Sequence, residues 1–392
     1  MTKPALRILY VSHSFPLPDD PLSNVGGMQR VAVALYNALR SRDDVVVIPL
    51  LLETSWKMTG VRTGPFLLDL VRRIPRMVRG ERIDVVLFSS MVTAASTLLI
   101  GDRIRRAGAI TAAIPVGRDV TLPNPMYQAL VPRVLRTLDL VLPISRATAT
   151  ECTDRGTDPA KVHVVPCGVD SPGDGPAGQG QGPRQRLIEL LRARGMNLPD
   201  GALLLLSVGR HQERKGFHWF VDAVMPALRE RAVYLLAGNG PMTPAIEERI
   251  RARGLADRVF LLGQVPEETL AALYAGSDLF IMPNIPVAGD IEGFGVVMIE
   301  AGAAGRPVVA AGLEGIRDVI TEGINGNLVR SGDADGFIAA IDAYGDSEVL
   351  ARASRLAREH VESNFGWPAV TQRYVEIFER MRSGAQDGTG PR

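Results

Sequence analysis

The chain has 392 residues, of which 46% are apolar and 22% charged. At roughly 100–200 residues per domain, this length implies two or three domains, and the composition excludes a collagen, a disordered tail protein and a disulfide-stapled mini-scaffold. The net charge of +1 conceals an asymmetry: residues 1–166 carry 21 Lys/Arg against 14 Asp/Glu, a net +7, and the remainder carries −6. A basic first half is expected to meet something anionic.

The only two cysteines, Cys152 and Cys167, imply no disulfide framework and read as small buried hydrophobes of a reducing compartment. The segment from Met1 to Arg7 is short and polar, so no signal peptide is read. No apolar run approaches the ~18 residues of a membrane span. The expected location is cytoplasmic, with a peripheral position at the inner face of a membrane as the alternative.

Strand and helix patterns alternate along the chain. Ile8–Ser12, Val85–Met91, Ile110–Val116, Leu140–Ser145 and Val162–Val169 read as buried strands, with helices at Met28–Arg40 and Ala94–Ala107. The pattern then restarts. Leu203–Gly209, Val233–Gly238, Val259–Gly263, Leu279–Pro283 and Pro307–Ala311 form a second strand set, with helices at Gly216–Glu230, Pro244–Arg253 and Val296–Ala304. Such alternation predicts parallel sheets covered on both faces. The expected organisation is an α/β domain over 1–170, a flexible linker over 171–201 and a second α/β domain over 202–367. Ser171–Pro183, SPGDGPAGQGQGP, is the Gly/Pro-rich part of that linker, and Arg184–Arg194 reads as a helix. A last helix is expected over 368–381 and a disordered tail over 383–392.

Doubly wound sheets bind ligands beyond the carboxyl ends of their strands, so the loops after strands hold the informative motifs. Glu292-Gly293-Phe294-Gly295-Val296 opens a helix that carries Glu300. Its glycines let backbone amides approach a ligand, and amides at a helix start favour anions and hydroxyl groups. A helical spacing of eight residues separates the carboxylates by about 12 Å, against the ~5 to 9.5 Å that paired glycosidase carboxyls need. The pair suits two ends of an extended ligand, one carboxylate on sugar hydroxyls and one on ribose hydroxyls.

Directly after a strand, Ser207-Val208-Gly209-Arg210-His211-Gln212-Glu213-Arg214-Lys215-Gly216 supplies Arg210 as a planar fork and Lys215 as a point charge for a diphosphate. His211 and Arg214 read as exposed neighbours. Gly26-Gly27-Met28-Gln29-Arg30 opens a helix in the first half and suits a phosphate or sugar. Gly238-Asn239-Gly240 begins a dinucleotide fingerprint, but Thr243 stands where the third glycine belongs. Asp333-Ala334-Asp335 looks like a metal-binding pair, but its place before a helix favours capping. The five histidines lack zinc spacing, and no nucleophile elbow or P-loop occurs.

At this point the chain, from about Ile8 to Met381, resembles glycosyltransferase family 4, the retaining GT-B enzymes. Glu292 to Glu300 is similar to the family's E-x7-E motif and continues into Arg306-Pro307-Val308-Val309; Gly209-Arg210 with Lys215-Gly216 is similar to its diphosphate motif, Gly26-Gly27 to its donor loop and Pro166–Asp170 to its linker entry. The resemblance implies a GT-B fold, two Rossmann-like domains facing across a cleft, with the last helix returning to the first domain. It implies transfer of a hexose from a UDP- or GDP-sugar to an acceptor hydroxyl of a glycolipid, polysaccharide or small-molecule glycoside precursor. On that resemblance, Glu292, Arg210 and Lys215 would carry the chemistry. The donor would lie on Gly26, Gly27, Arg210, Lys215, Glu292, Phe294, Gly295, Val296 and Glu300, and no cofactor, metal or nucleic acid is expected.

There are two departures, the second in the acceptor-domain loop. Gln29 stands where many members have Glu, and Ala113-Ile114-Pro115-Val116-Gly117-Arg118-Asp119 lacks the histidine many carry there. A nucleotide-sugar-binding protein without turnover, and a GT-B epimerase or phosphorylase, stay open as alternatives. Phe66–Arg82 joins Arg72, Arg73, Arg76, Arg79 and Arg82 to Phe66, Leu67, Leu70, Val71, Ile74, Met77 and Val78. It reads either as a packed helix with a solvated basic face or as a peripheral membrane contact through 66–82, kinked or split at Pro75, with a lipid-linked acceptor.

Overall fold

A computed structural model describes residues 5–20, 27–170, 182–229 and 231–386. It divides into two units, residues 1–168 with 367–392 and residues 169–366.

The first unit holds five parallel strands: β1 (Leu6–Phe15), β2 (Val45–Glu53), β3 (Val85–Phe88), β4 (Ile110–Ala113) and β5 (Leu140–Val141). Their order is β2-β1-β3-β4-β5, so the chain reverses its direction of winding between β1 and β3. β2 is absent from the sequence reading. Its unbroken apolar run with Pro49 in the middle shows no alternation, and a proline is tolerated because β2 lies at the sheet edge. Val162–Val169, expected as a strand, makes only isolated bridges at Val162 and Val169; Pro166 lacks a ladder donor. Ala94–Ala107 is two helices, Met91–Ala94 and Thr97–Arg106. Ser96 and Thr97 hydroxyls donate to the carbonyls of Thr93 and Ala94 at the break.

The helices Trp56–Gly80, Thr97–Arg106 and Pro125–Thr137 cover one sheet face. Phe66, Leu70, Ile74 and Val78, spaced four apart, point into that core. Trp56–Gly80 is a single helix through Pro65 and Pro75, not split at Pro75. The Trp367–Gln386 helix belongs to the same unit: Arg42 donates to Thr371 and Gln372, and Arg382 lies 3.5 Å from Asp84. Residues 383–386, expected in a disordered tail, continue this helix. Cys152 and Cys167 are both buried free thiols of this unit, and burial pushes each up to about 12.

The second unit holds β6 (Leu203–Val208), β7 (Ala232–Ala237), β8 (Val259–Gly263), β9 (Leu279–Met282), β10 (Val308–Ala311) and β11 (Gly326–Val329), all parallel, in the order β11-β10-β9-β6-β7-β8. Counted from β6, this is the 3-2-1-4-5-6 order of a dinucleotide-type sheet, with its switch point between β6 and β9. β11, a short edge strand beginning Gly-Asn, also escaped the sequence reading. The helix expected over Gly216–Glu230 ends at Ala223, before Pro226. Of the expected linker, residues 171–181 lie outside the described residues. Pro183–Ala193 is a helix, within one residue of the expected Arg184–Arg194, and its Leu187 and Leu191 are fully buried in this unit, so this part of the linker is not flexible.

Candidate functional site

The switch point of the second sheet brings together the loops after β6 and β9. The β6 loop ends in a single 3-10 turn, Glu213–Lys215, closed by Gly216 at φ 65. A Cβ on Gly216 would lie 2.0 Å from the Pro283 carbonyl oxygen. Only glycine allows both the left-handed turn and this approach, which presses Lys215 against the end of β9.

The result is a cation–carboxylate cluster centred on Glu292. Lys215 Nζ lies 2.6 Å from Glu292 Oε2, and Arg214 Nη1 and Asn284 Nδ2 each donate to the same oxygen at 3.2 Å. Arg214 Nε donates to Asp290 at 3.2 Å. No hydrogen bond to Glu292 Oε1 occurs among the described residues, and that atom is not among the buried, unpartnered ones. It is therefore the oxygen left to face a ligand. Burial opposes ionisation of Glu292, but the Lys215 and Arg214 charges outweigh it and hold the carboxyl below its usual range. Lys215, 7% exposed, is lowered by burial, with the Glu292 charge acting against that shift.

The backbone of Glu292 is held separately. Glu314 accepts from the Glu292 N–H, and the Gly315 N–H donates to the Glu292 carbonyl at 3.2 Å. Glu314 sits at φ 42, a left-handed conformation that a non-glycine residue adopts at a cost. Burial raises its pKa, and the Glu292 N–H hydrogen bond opposes that rise.

The other predicted donor residues are placed as follows. Phe294 is buried and meets Phe365 edge-on at 6.0 Å, so only its backbone is left for a ligand. Gly295, at φ 81, precedes the Val296–Ala303 helix, and Val296 is its first residue. Glu300 accepts from the Tyr274 hydroxyl at 2.7 Å. Arg210 is exposed and makes no ion pair among the described residues. Lys215 and Glu292 are thus in contact, whereas Arg210 and Glu300 stand apart from that contact.

His211 and Arg214 are not the exposed neighbours the sequence reading made them. His211 is fully buried; Nδ1 lies 2.8 Å from the Thr243 hydroxyl and Nε2 has no partner. Arg214 belongs to the Glu292 cluster because the turn closed by Gly216 aims it inward. Arg214, Asn284, Tyr274 and Glu314 were missed by sequence reasoning. Asn284 alone offered a signal, as a polar residue just past a buried strand.

In the first unit, the switch point between β1 and β3 gathers a second polar group. His13 and Ser14 at the end of β1, and Ser89 and Ser90 after β3, are all buried. His13 Nδ1 lies 3.3 Å from the Ser90 hydroxyl, and burial lowers its pKa to about 4. Asp119 accepts from the Met91 and Val116 N–H groups; burial raises it to about 6 against those hydrogen bonds. Gly27 opens the helix Gly27–Arg40. Gly26 lies outside the described residues.

Asp333 caps the Ala334–Asp342 helix through the Gly336 N–H, as its sequence position suggested. Among the described residues no three His, Cys, Asp or Glu side chains are grouped to hold a metal ion.

Residues 25–171 match the family model described as Glycosyltransferase Family 4, and residues 202–345 match Glycosyl transferases group 1. Among curated relatives, a GDP-mannose-dependent alpha-(1-6)-phosphatidylinositol monomannoside mannosyltransferase of Mycolicibacterium smegmatis is 28% identical over 322 residues, 80% of this chain and 81% of the relative. A D-inositol 3-phosphate glycosyltransferase of Geodermatophilus obscurus is 34% identical over 253 residues, 59% of this chain and 51% of the relative. The matches thus span from about half to about four fifths of these relatives' own length. Among solved structures, Anabaena HepE in complex with UDP superposes with a TM-score of 0.69 at 18% identity, covering 96% of this chain and 100% of that one. Sucrose-phosphate synthase of Thermosynechococcus elongatus does so with 0.70 at 18% identity, covering 97% and 100%. At such identities the likeness shows the fold, which is GT-B.

Proposed function

The chain belongs to glycosyltransferase family 4, and from that premise we propose that it moves a hexose, with retention of configuration, from a nucleoside diphosphate sugar to an acceptor hydroxyl. The observation that carries this reading is the contact between Lys215 and Glu292. In a nucleotide sugar the first sugar carbon and the phosphate share one oxygen, so a cation for the diphosphate and a carboxylate for sugar hydroxyls must be neighbours. Here they touch at 2.6 Å.

The second sheet's switch point then serves as the donor site. Lys215 and Arg210 neutralise charge on the departing diphosphate, an electrostatic contribution. Glu292 Oε1 accepts from hydroxyls of the sugar, and Glu300, steadied by Tyr274, accepts from the ribose. As the bond from the first sugar carbon to the phosphate oxygen breaks, the acceptor oxygen bonds to that carbon, and the acceptor proton passes to the phosphate. Such a route needs no protein nucleophile and no metal. The first unit's polar group around His13 and Asp119 is assigned to the acceptor.

The two relatives' contexts differ in nucleotide, GDP-mannose in one and UDP in the other, so the base is read by experiment. Thermal-shift titration with UDP, GDP and ADP is expected to select one nucleotide, independently of magnesium. A ligand at 100 times its Kd adds about 2.7 kcal/mol of apparent stability. The matching sugar nucleotide should then be hydrolysed slowly, with the first-formed anomer keeping the donor's configuration. No response to any nucleotide, or release of the opposite anomer, rejects the reading.

A further inference from the structure

The outer surface of the first unit has a polarity that the donor chemistry does not use. Three crossover helices, Trp56–Gly80, Thr97–Arg106 and Pro125–Thr137, cover one face of its sheet. Each links two parallel strands, so all three run in the same direction and begin at the same edge of the sheet.

Their exposed apolar side chains concentrate at that edge. Trp56, Met58 and Val61 occupy the first two turns of one helix, Leu98 and Leu99 the first turn of the next; Leu122 precedes the third helix, and Met126 is its second residue. Leu68 lies further along the first helix. Together these are eight of the twelve exposed large hydrophobics among the described residues. Their clustering is what separates a patch from ordinary scattered surface leucines.

Their charges concentrate at the other end. Arg72, Arg73, Arg76 and Arg79 fill the second half of the first helix; Arg103, Arg105 and Arg106 end the second, and Arg133 and Arg136 the third. With Lys57 and Arg62, the three helices carry 11 Lys/Arg against only two acidic residues, in a chain whose total is +1. Those two, Asp69 and Asp102, each pair with one arginine, Arg73 at 3.2 Å and Arg105 at 2.6 Å.

The segment 66–82 contributes differently from what its sequence pattern promised. Its apolar stripe, Phe66, Leu70, Ile74 and Val78, is buried in the core. The outward line of the same helix is Met58, Val61 and Leu68 followed by Arg72, Arg76 and Arg79, and all six are exposed.

We propose that the outer face of these three helices docks on an anionic lipid bilayer, its apolar edge entering the acyl boundary and its arginines lying among the phosphate headgroups. A field of arginine behind a rim of Trp, Leu, Met and Val matches the interfacial layer, where tryptophan is enriched and aliphatic side chains gain from burial. A polynucleotide would match the arginines but offers nothing to aliphatic side chains; its partners stack bases on aromatics. No described helix is long and apolar enough to cross a membrane, so the contact is with one leaflet. The proposal stands on the first unit's surface and is independent of the donor assignment.

The test is co-flotation of the full chain with vesicles of phosphatidylcholine containing roughly one third phosphatidylglycerol, against phosphatidylcholine alone. Binding is expected to the anionic vesicles at about 0.1 M NaCl and release at about 1 M, as the Debye length falls from ~10 to ~3 Å. Each interfacial arginine contributes about fivefold, equivalent to about 1 kcal/mol, so R72Q/R76Q/R79Q should lower partitioning about a hundredfold. V61S/L68S/L99S should also weaken binding while leaving its salt dependence in place. All six positions are exposed, and both variants should keep the wild-type circular dichroism and melting temperature. Failure of the folded wild-type chain to float with anionic vesicles, binding unchanged in either variant, or equal binding to a DNA duplex and none to vesicles, overturns the proposal.

Discussion

Lys215 Nζ and Glu292 Oε2 meet at 2.6 Å across the switch point of the second sheet, and both side chains are about nine-tenths buried. Removing one partner of such a pair leaves the other charge uncompensated, at a cost of about 3–5 kcal/mol. Glu292→Gln leaves Lys215 and Arg214 together without their carboxylate. Its melting temperature is expected to fall, and a saturating nucleoside diphosphate should stabilise it more than it stabilises wild type, because phosphate restores the missing negative charge. Differential scanning fluorimetry reads both shifts. An equal nucleotide shift in the two proteins contradicts this account.

The same pair makes stability depend on acid. The Glu292 carboxyl in the folded chain lies below its ordinary value of 4.5. Its contribution is therefore fully present above that value and is lost as pH falls through the lower folded one. Urea midpoints are expected to drop more steeply below about pH 4.5 in wild type than in Glu292→Gln.

His13 and Asp119 produce opposite slopes at milder pH. His13, lowered from 6.5 to about 4, binds its proton more readily in the unfolded chain, so stability declines as pH falls from 6.5 toward 4. Asp119, raised from 3.8 to about 6, holds its proton more tightly when folded, so stability declines as pH rises from 3.8 toward 6. His13→Gln should remove a loss on the order of 2 kcal/mol on acidification from pH 7 to 4.5, as read by urea midpoints. Asp119→Asn should steepen the acid loss that remains.

Asn284 presents its amide nitrogen to Glu292, which leaves Oδ1 buried and without a partner. Asn284→Asp places a second carboxylate against the first, and like charges raise one another's pKa. The acidic limb of the kcat/KM profile is expected to move to higher pH, and nucleoside diphosphate affinity to fall, because the added charge also competes for Lys215 and Arg214. An unmoved profile would remove Asn284 from the tuning of Glu292.

Gly315 lies under the Glu292 backbone, and a Cβ there would stand 2.1 Å from the Gly293 carbonyl oxygen. Gly315→Ala cannot be absorbed by a rotamer, since the obstruction is backbone. It should destabilise by about 1–3 kcal/mol and raise the donor KM, whereas Gly323→Ala, with open space around it but φ 72, should lower stability without touching KM.

The sequence shows how each part of this site became legible or stayed hidden. Lys215 and Glu292 stood out because both follow buried apolar strands in glycine-bearing loops, where periodicity stops and chemistry begins. Arg214 did not, because a loop arginine next to a lysine reads as solvated; only the left-handed Gly216 reveals that the turn points it inward. Glu314 acts through a backbone hydrogen bond from beyond β10, and no local pattern announces such a contact. Two of the four edge strands escaped, whereas β5 and β8 were legible: β2 carries a proline and β11 begins with glycine and asparagine, so neither shows the alternation of a half-buried strand. Proline cut both ways. Pro226 ended a helix expected to continue, whereas Pro65 and Pro75 were accommodated where Phe66, Leu70, Ile74 and Val78 anchor the helix to the core.

The two buried thiols offer an internal clock. Cys152 and Cys167 both lie in the first unit, and with pKa values pushed up to about 12 they hold almost no thiolate at neutral pH. A thiol-labelling reagent therefore reacts only when that unit opens, and the second unit, without a cysteine, stays silent to it. Labelling rates with and without nucleotide then report whether occupying one sheet's switch point is felt as slower opening of the other, a coupling that activity measurements alone do not resolve.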